Sequence, residues 1–411
     1  MRQPSSTLPG DRLTVKTGLT ALLLGVTLLL AACATGPAGV TREQPVPGVV
    51  LPLRTQGAEI VDQRGRRVML KGVNWYGAES PDFVVGGLDR RPLAEIAGEI
   101  ADAGFNVVRL PWSNEMVARN PLIAADRLAA NPELQGLRAL GVFDRVVEAL
   151  GAEGVMVVLD NHRSRADWCC DTAHGDGLWH TAAYPEAVWL QHWRRMAVRY
   201  GHLPHVIGAE LRNGIRPDPG QGLTPTWGDG ALLTDWQAAA GRGGEAVLQA
   251  NPNLLVIVGG IDWQNNLHGV WQHPVELSRP NRLVYAVHDY PWWRSEEERA
   301  DPRLFAERSH ERWGFVRDRD FPHQAPVWVS EWGGCLQPDH NGACPPTDTA
   351  YVEAFARYAR DSRIDWSWQP LNGTQSSGYG RQVGAVESWG LFDPSWSRWA
   401  DPDLVERLTD R

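Results

Sequence analysis

The chain carries no surplus of positive charge. Forty Lys and Arg residues stand against 49 Asp and Glu, a formal net charge of −9, which disfavours polyanionic partners such as nucleic acid. No GxGxxG loop follows an apolar run, which argues against a dinucleotide-binding sheet. No CxxC spacing or nearby HxxxH pattern supports zinc, and no motif suggests an organic cofactor. No internal repeat is evident. Cysteine is scarce, at five in 411 residues. Cys169, Cys170, Cys335 and Cys344 make an even set once Cys33 is set aside, and in an oxidising compartment that favours disulfides. Cys335 with Cys344 is the simplest pair, because it staples one loop. Cys169 and Cys170 are then a strained vicinal pair or two free thiols.

The apolar stretch from Thr17 to Ala32 is too short to span a bilayer comfortably, at roughly 24 Å of helix against about 30 Å of hydrocarbon. Arg12 and Lys16 precede it, and Leu30-Ala31-Ala32-Cys33 closes it, which is the three-part layout of a secretory signal. With cysteine directly after the small pair, the segment resembles a bacterial lipoprotein signal. That resemblance implies cleavage before Cys33, lipid attachment to it, and a place in the cell envelope, anchored to a membrane; an uncleaved anchor and plain secretion are the alternatives. Residues 33–54, rich in Pro, Gly, Thr and Val without periodicity, read as a tether. Residues 55–411 read as one catalytic-type domain, expected to act as a monomer.

Apolar content of 43% is enough for a large core, and 20 tryptophans are the compositional outlier. Trp is costly in a core because its N–H needs a partner. The excess therefore suggests flat apolar platforms suited to sugar rings, beside a share of ordinary core residues. The segment from Glu59 to Leu70 predicts a short N-terminal hairpin with its turn near Gly65. Eight apolar runs follow: Met69–Trp75, Val107–Leu110, Val155–Leu159, Val206–Leu211, Leu254–Val258, Leu283–Val287, Val327–Val329 and Ile364–Trp368. Segments of helical periodicity separate them. Eight buried strands alternating with helices predict an α/β fold, a parallel (β/α)8 barrel.

In such barrels the chemistry sits at the C-terminal ends of the strands. Polar residues close nearly every run here: Asn74, Arg109, Asp160-Asn161-His162-Arg163, Asn213, Trp263-Gln-Asn-Asn, His288-Asp289-Tyr290, Glu331 and Trp366-Ser-Trp. Singly, each is better read as a satisfied core polar or a capping residue. As a series they point to a site.

The set Gly72-Val-Asn-Trp-Tyr-Gly, Gly104-Phe-Asn-Val-Val-Arg-Leu-Pro, Leu159-Asp-Asn-His-Arg, Val206-Ile-Gly-Ala-Glu-Leu-Arg-Asn, Pro280-Asn-Arg-Leu-Val-Tyr-Ala-Val-His-Asp-Tyr and Ala325-Pro-Val-Trp-Val-Ser-Glu-Trp-Gly resembles glycoside hydrolase family 5, within it the bacterial endoglucanase-like cellulases. The resemblance covers roughly residues 57–395. It implies a retaining mechanism on β-linked glucan or a related polysaccharide, with Glu331 as nucleophile. It further implies a supporting and sugar-binding shell of Arg109, His162, Asn213, Trp263, His288, Tyr290 and Trp366, with Trp366 stacked beneath the ring at the cleavage subsite.

A retaining glycosidase needs one carboxylate to attack the anomeric carbon and one carboxyl to protonate the leaving oxygen. Family members carry Asn-Glu at the end of the fourth strand, and this chain reads Asn213-Gly214. The acid/base carboxyl is absent. Related cellulases often show Glu-Gly where this chain has Gly259-Gly260. Glu210 is expected to lie too deep to substitute, about 13 Å down the strand. Asp218, Asp229, Glu115 and Asp160 have no motif-level claim. Three readings follow: an impaired or atypical glycosidase or transglycosidase, a non-catalytic surface-anchored carbohydrate binder, or an ordinary cellulase with a recent lesion at 214.

Overall fold

The computed structural model describes residues 47–168, 175–339 and 342–410. Cys33, the signal-like segment, and Cys169 and Cys170 lie outside them.

Eight parallel strands close into a barrel: β3 (Lys71–Asn74), β4 (Val107–Ser113), β5 (Met156–Arg163), β6 (Val206–Glu210), β7 (Leu255–Gly259), β8 (Leu283–Asp289), β9 (Val327–Trp332) and β10 (Asp365–Trp368), with β10 pairing back onto β3. All eight predicted runs are strands, and the expected fold class is the observed one. The described helices are α1 (Leu93–Asp102), α2 (Asn114–Arg119), α3 (Ala139–Ala152), α4 (Glu186–Arg199), α5 (Trp236–Ala250), α6 (Glu296–Ala300), α7 (Pro302–Arg312), α8 (Pro346–Ser362) and α9 (Pro402–Thr409). In α1 the buried residues Leu93, Ile96, Ala97 and Ile100 recur at helical spacing and face the sheet. Among the described residues no helix is long and apolar enough to cross a membrane.

The two-residue strand period divides the core. Met156, Val158, Ile207, Leu255, Ile257, Val284, Ala286 and Trp328 fill the barrel, while Val157, Leu159, Ala209, Val256, Val258, Val287 and Val329 face the helices. Each such aliphatic side chain contributes roughly 1.5–3 kcal/mol on burial. The hairpin forms one turn earlier than predicted. β1 (Arg54–Gln56) pairs with β2 (Glu59–Val61) around Gly57, and Gly65 supports only an isolated bridge from Val61 to Arg67. Leu53, Ile60, Val68 and Leu70 join the inner cluster, with Val49 and Leu51 packed against it. The hairpin thus plugs the barrel floor, and residues 49–53, assigned above to the tether, belong to this plug.

Cys335 and Cys344 are joined as expected, with Cα atoms 5.3 Å apart. Much of the tryptophan excess is core, the share the sequence assigned to ordinary packing. Eleven of the largest fully buried side chains are Trp, and several use the indole N–H to fasten a strand end. Trp189 and Trp193, one turn apart on α4, both donate to the Leu211 carbonyl at 3.1 and 3.0 Å, and Trp236 donates to Gly259 at 2.8 Å. These bonds answer the cost of burying an indole and hold the ends of β6 and β7 in place.

Candidate active site

At the C-terminal mouth of the barrel lies a cleft of about 620 Å³, lined by His162, Trp168, Asn213, Gly214, Trp263, His288, Tyr290, Trp292, Trp293, Glu331, Gln369, Pro370, Arg381, Glu387, Ser388 and Trp389. Its size is that of a small-ligand site. Two irregularities in the ladder aim side chains into it. Between β8 and β9, Val287 pairs with Val329 but His288 pairs with Glu331, so Ser330 is skipped and the next residue turns inward. Between β4 and β5 the pairing likewise skips His162.

Glu331 is 6% exposed. Arg109 Nη1 donates to its Oε1 at 2.7 Å and the Tyr290 hydroxyl donates to its Oε2 at 2.8 Å. His288 Nδ1 lies 3.4 Å from Oε2. Burial holds the His288 imidazole well below its ordinary range and Arg109 pushes it further down, so His288 is a neutral neighbour. Burial raises the Tyr290 phenol well above its usual value, and the charge of Glu331 adds to the shift, keeping it a proton donor in the hydrogen bond.

Arg109 is the hub. Beyond Glu331 it donates to Glu210 Oε2 at 2.6 Å and to Asn213 Oδ1 at 2.8 Å, and it sits 3.2 Å from Asp160 Oδ2. Three carboxylates thus share one guanidinium. Burial pushes Asp160 up to about 7, with Arg109 opposing the shift and Glu331 adding to it. His162 Nδ1 lies 2.6 Å from Asp160 and its Nε2 3.3 Å from Asn213 Nδ2, and burial lowers His162 to about 4. Glu210 is fully buried beneath Arg109, as expected from its depth on β6.

Of the residues named from sequence, Arg109 supports the cleft from below, and His162, Asn213, Gly214, Trp263, His288, Tyr290 and Glu331 line it. Trp366 does not. It is 3% exposed in the layer between barrel and helices, edge-on to Phe105 at 6.3 Å and to Trp332 at 5.7 Å. The period of β10 accounts for this: Trp366 and Trp368 face outward, while Ser367 faces the barrel beside Gly72. The tryptophan in the cleft near this strand is Trp389, in the loop beyond it. It adjoins a stack of Tyr290 on Trp292, whose centroids are 4.5 Å apart at 12°, and Trp292 is 63% exposed.

Sequence reasoning missed Glu387 and, although it placed Gln264 in the polar run after the fifth strand, gave that residue no role. Glu387 lines the cleft, bound by Arg381 and by the Tyr76 hydroxyl at 2.6 Å. Gln264 is fully buried at the end of β7, where it donates to Glu210 Oε1 at 3.0 Å and accepts from the Gly214 N–H at 2.5 Å. A Cβ at Gly259 would lie 2.3 Å from the Gln264 side chain, so the departure at Gly259 is what lets Gln264 fold back. The four alternative carboxylates are occupied elsewhere. Asp218 binds the Gly177 N–H, Asp229 caps its own loop, Glu115 pairs with Arg119, and Asp160 serves Arg109 and His162. Gly214 has φ +55°, and a Cβ built there meets only Arg216 Nη1, at 3.7 Å, among the described residues outside its chain neighbours. Among the described residues no cluster of three or more His, Cys, Asp or Glu is disposed to hold a metal ion.

Comparison with known proteins agrees with this geometry. The family model described as cellulase (glycosyl hydrolase family 5) matches residues 61–372. An endoglucanase of Paenibacillus polymyxa is 32% identical over 375 residues, covering 86% of each chain. The major extracellular endoglucanase of Xanthomonas campestris pv. campestris is 32% identical over 346 residues, 77% of this chain and 64% of that one. Among solved structures, the hyperthermophilic endocellulase of Pyrococcus horikoshii superposes with a TM-score of 0.73 at 26% identity, over 88% of this chain and all (100%) of that one. The chain belongs to glycosyl hydrolase family 5.

Proposed function

We propose that the protein is a retaining glycosidase of β-linked glucan whose nucleophile is Glu331 and whose turnover of ordinary glycans is impaired by the absence of a carboxyl at position 214. The observation that carries this reading is the setting of Glu331: at a strand end, in an open cleft, with Arg109 and Tyr290 both donating to its carboxylate. Arg109 and Tyr290 fix the carboxylate's orientation, and we assign Asn213, which Arg109 holds, to a sugar hydroxyl. The aromatic wall of Tyr290, Trp292 and Trp389 suits the apolar faces of pyranose rings. Likeness to endoglucanases favours β-glucan as the polysaccharide.

Loss of a general acid typically costs about 10²–10⁴-fold, most of all where the leaving group is a sugar hydroxyl. Glycine at 214 also favours a second reading, a binder that has kept the groove and lost the chemistry. A β-cellobioside bearing a 2,4-dinitrophenyl group separates the two, because that leaving group departs without a proton. A glycosidase gives a burst of dinitrophenolate and a covalent adduct on Glu331. A binder gives neither while still retaining cello-oligosaccharide. The lipoprotein-like signal further supports anchoring at the cell envelope through Cys33. Cys33→Ala is expected to abolish incorporation of labelled palmitate, and unchanged labelling would refute the anchor.

A further inference from the structure

The wall of the cleft at position 214 is backed by buried positive charge. Arg163, Arg212 and Arg216 are 2%, 0% and 3% exposed. Arg163 Nε and Arg212 Nη2 bind the two oxygens of Asp176 at 3.1 and 2.5 Å. Arg216 also interacts with Asp176 and Asp218 through space, so these three guanidinium groups share the carboxylates of Asp176 and Asp218, with Asp160 also facing Arg212. Arg216 Nη1 donates to the Gly214 carbonyl at 2.9 Å, while its Nε is buried with no partner among the described residues. Burial, with Arg163 and Arg212 adding to it, lowers this guanidinium to about 10 despite Asp176 and Asp218.

We propose that the space above Gly214 is a seat for a small carboxylate, held by Arg216, which restores the second half of the glycosidase reaction. This rests on the glycosidase reading above. Next to Arg216 a seated carboxylate stays ionised, so it serves as a base and not as an acid. In the first half-reaction Glu331 bonds to the anomeric carbon, and the aglycone leaves with the electron pair of the broken C–O bond. That step selects β-glycosides of weakly basic aglycones, such as phenols, over ordinary glycans. In the second half-reaction the oxygen of water bonds to the anomeric carbon and the bond to Glu331 breaks. The water proton passes to the seated carboxylate, which returns it to solvent.

The test is steady-state turnover of 2,4-dinitrophenyl β-cellobioside by the whole protein in formate, at ionic strength held constant with chloride. Turnover is expected to rise saturably with formate, by tenfold or more. Arg216→Gln is expected to raise the half-saturating concentration at least tenfold. Gly214→Glu, which fills the space, is expected to remove the response whether or not the Arg216 variant folds. A dinitrophenolate burst whose following rate ignores formate, rises without saturation, or responds equally after Gly214→Glu would overturn the seat alone. Steady dinitrophenolate release without a burst would overturn the seat alone, and no release at all would overturn the glycosidase reading and the seat with it.

Discussion

The two walls of the cleft are built to different standards. On the Glu331 side a carboxylate is held by Arg109, Tyr290 and a neutral His288, and the strand ladder skips a residue to aim it. On the Gly214 side the backbone adopts a conformation that favours glycine, the carboxyl is missing, and a guanidinium lies behind the empty Cβ position. The contrast teaches that the two walls are held by separate sets of bonds, and under the function proposed above it makes attack and proton donation separable. The hub around Arg109 is anchored by Glu210, Asp160 and Asn213, none of which depends on a side chain at 214. The hydrogen bonds that hold Glu331 therefore do not rely on a side chain at 214.

The comparison breaks most sharply at Glu331. Glu331→Gln is expected to reduce turnover of an activated aryl cellobioside by roughly 10⁴–10⁶-fold, as for a nucleophile that acts as a unit with its partners. Restoring the opposite wall comes next. Gly214→Glu is expected to raise cello-oligosaccharide cleavage by about 10²-fold, the lower part of the general-acid range, with its optimum displaced to acid pH because Arg216 favours the ionised form. The left-handed backbone at 214 should make this variant less stable by about 1–2 kcal/mol, measurable by denaturant unfolding. Tyr290→Phe removes one hydrogen bond to a charged group and is expected to lower aryl cellobioside turnover about tenfold to a hundredfold. Gln264→Ala leaves the buried Gly214 N–H without its acceptor and takes one of several donors from Glu210, and should cost about 1–3 kcal/mol of stability.

The smallest effect is on pH dependence. The folded protein keeps the Asp160 proton up to about 7, whereas the unpaired carboxyl releases it near 3.8. Across that window the unfolded chain binds fewer protons, so the Asp160 contribution to stability is full below it and falls as pH rises through it. Asp160→Asn should flatten this fall in unfolding titrations. His162 acts in the opposite sense, since its folded-state value of about 4 lies below the ordinary 6.5 and its contribution is lost as pH falls between them.

The barrel was legible because parallel strands buried on both faces read as uninterrupted apolar runs, and the site was legible because polar residues punctuate their ends. What escaped did so for local reasons. Whether Trp366 faces in or out depends on the phase of a four-residue strand, and a one-residue shift reverses it. Gln264 reaches the hub only because residues 262–264 all have positive φ and Gly259 leaves room, neither of which has a periodic signature. Glu387 and Trp389 come from the loop after the last strand, where no run marks them. The hairpin moved because Gly57 and Gly65 are both competent turn residues, and Leu53, upstream of the first, was needed to plug the floor.

The most direct measurement is the dependence of kcat/KM on aglycone pKa, across a series of aryl β-cellobiosides, in the natural chain and in Gly214→Glu. An intact nucleophile without an acid predicts a steep decline in the natural chain as the aglycone approaches an ordinary phenol of pKa about 10, and a shallow one in the variant. Equal, shallow slopes in both would mean that another group already donates the proton, and would contradict the division between the two walls.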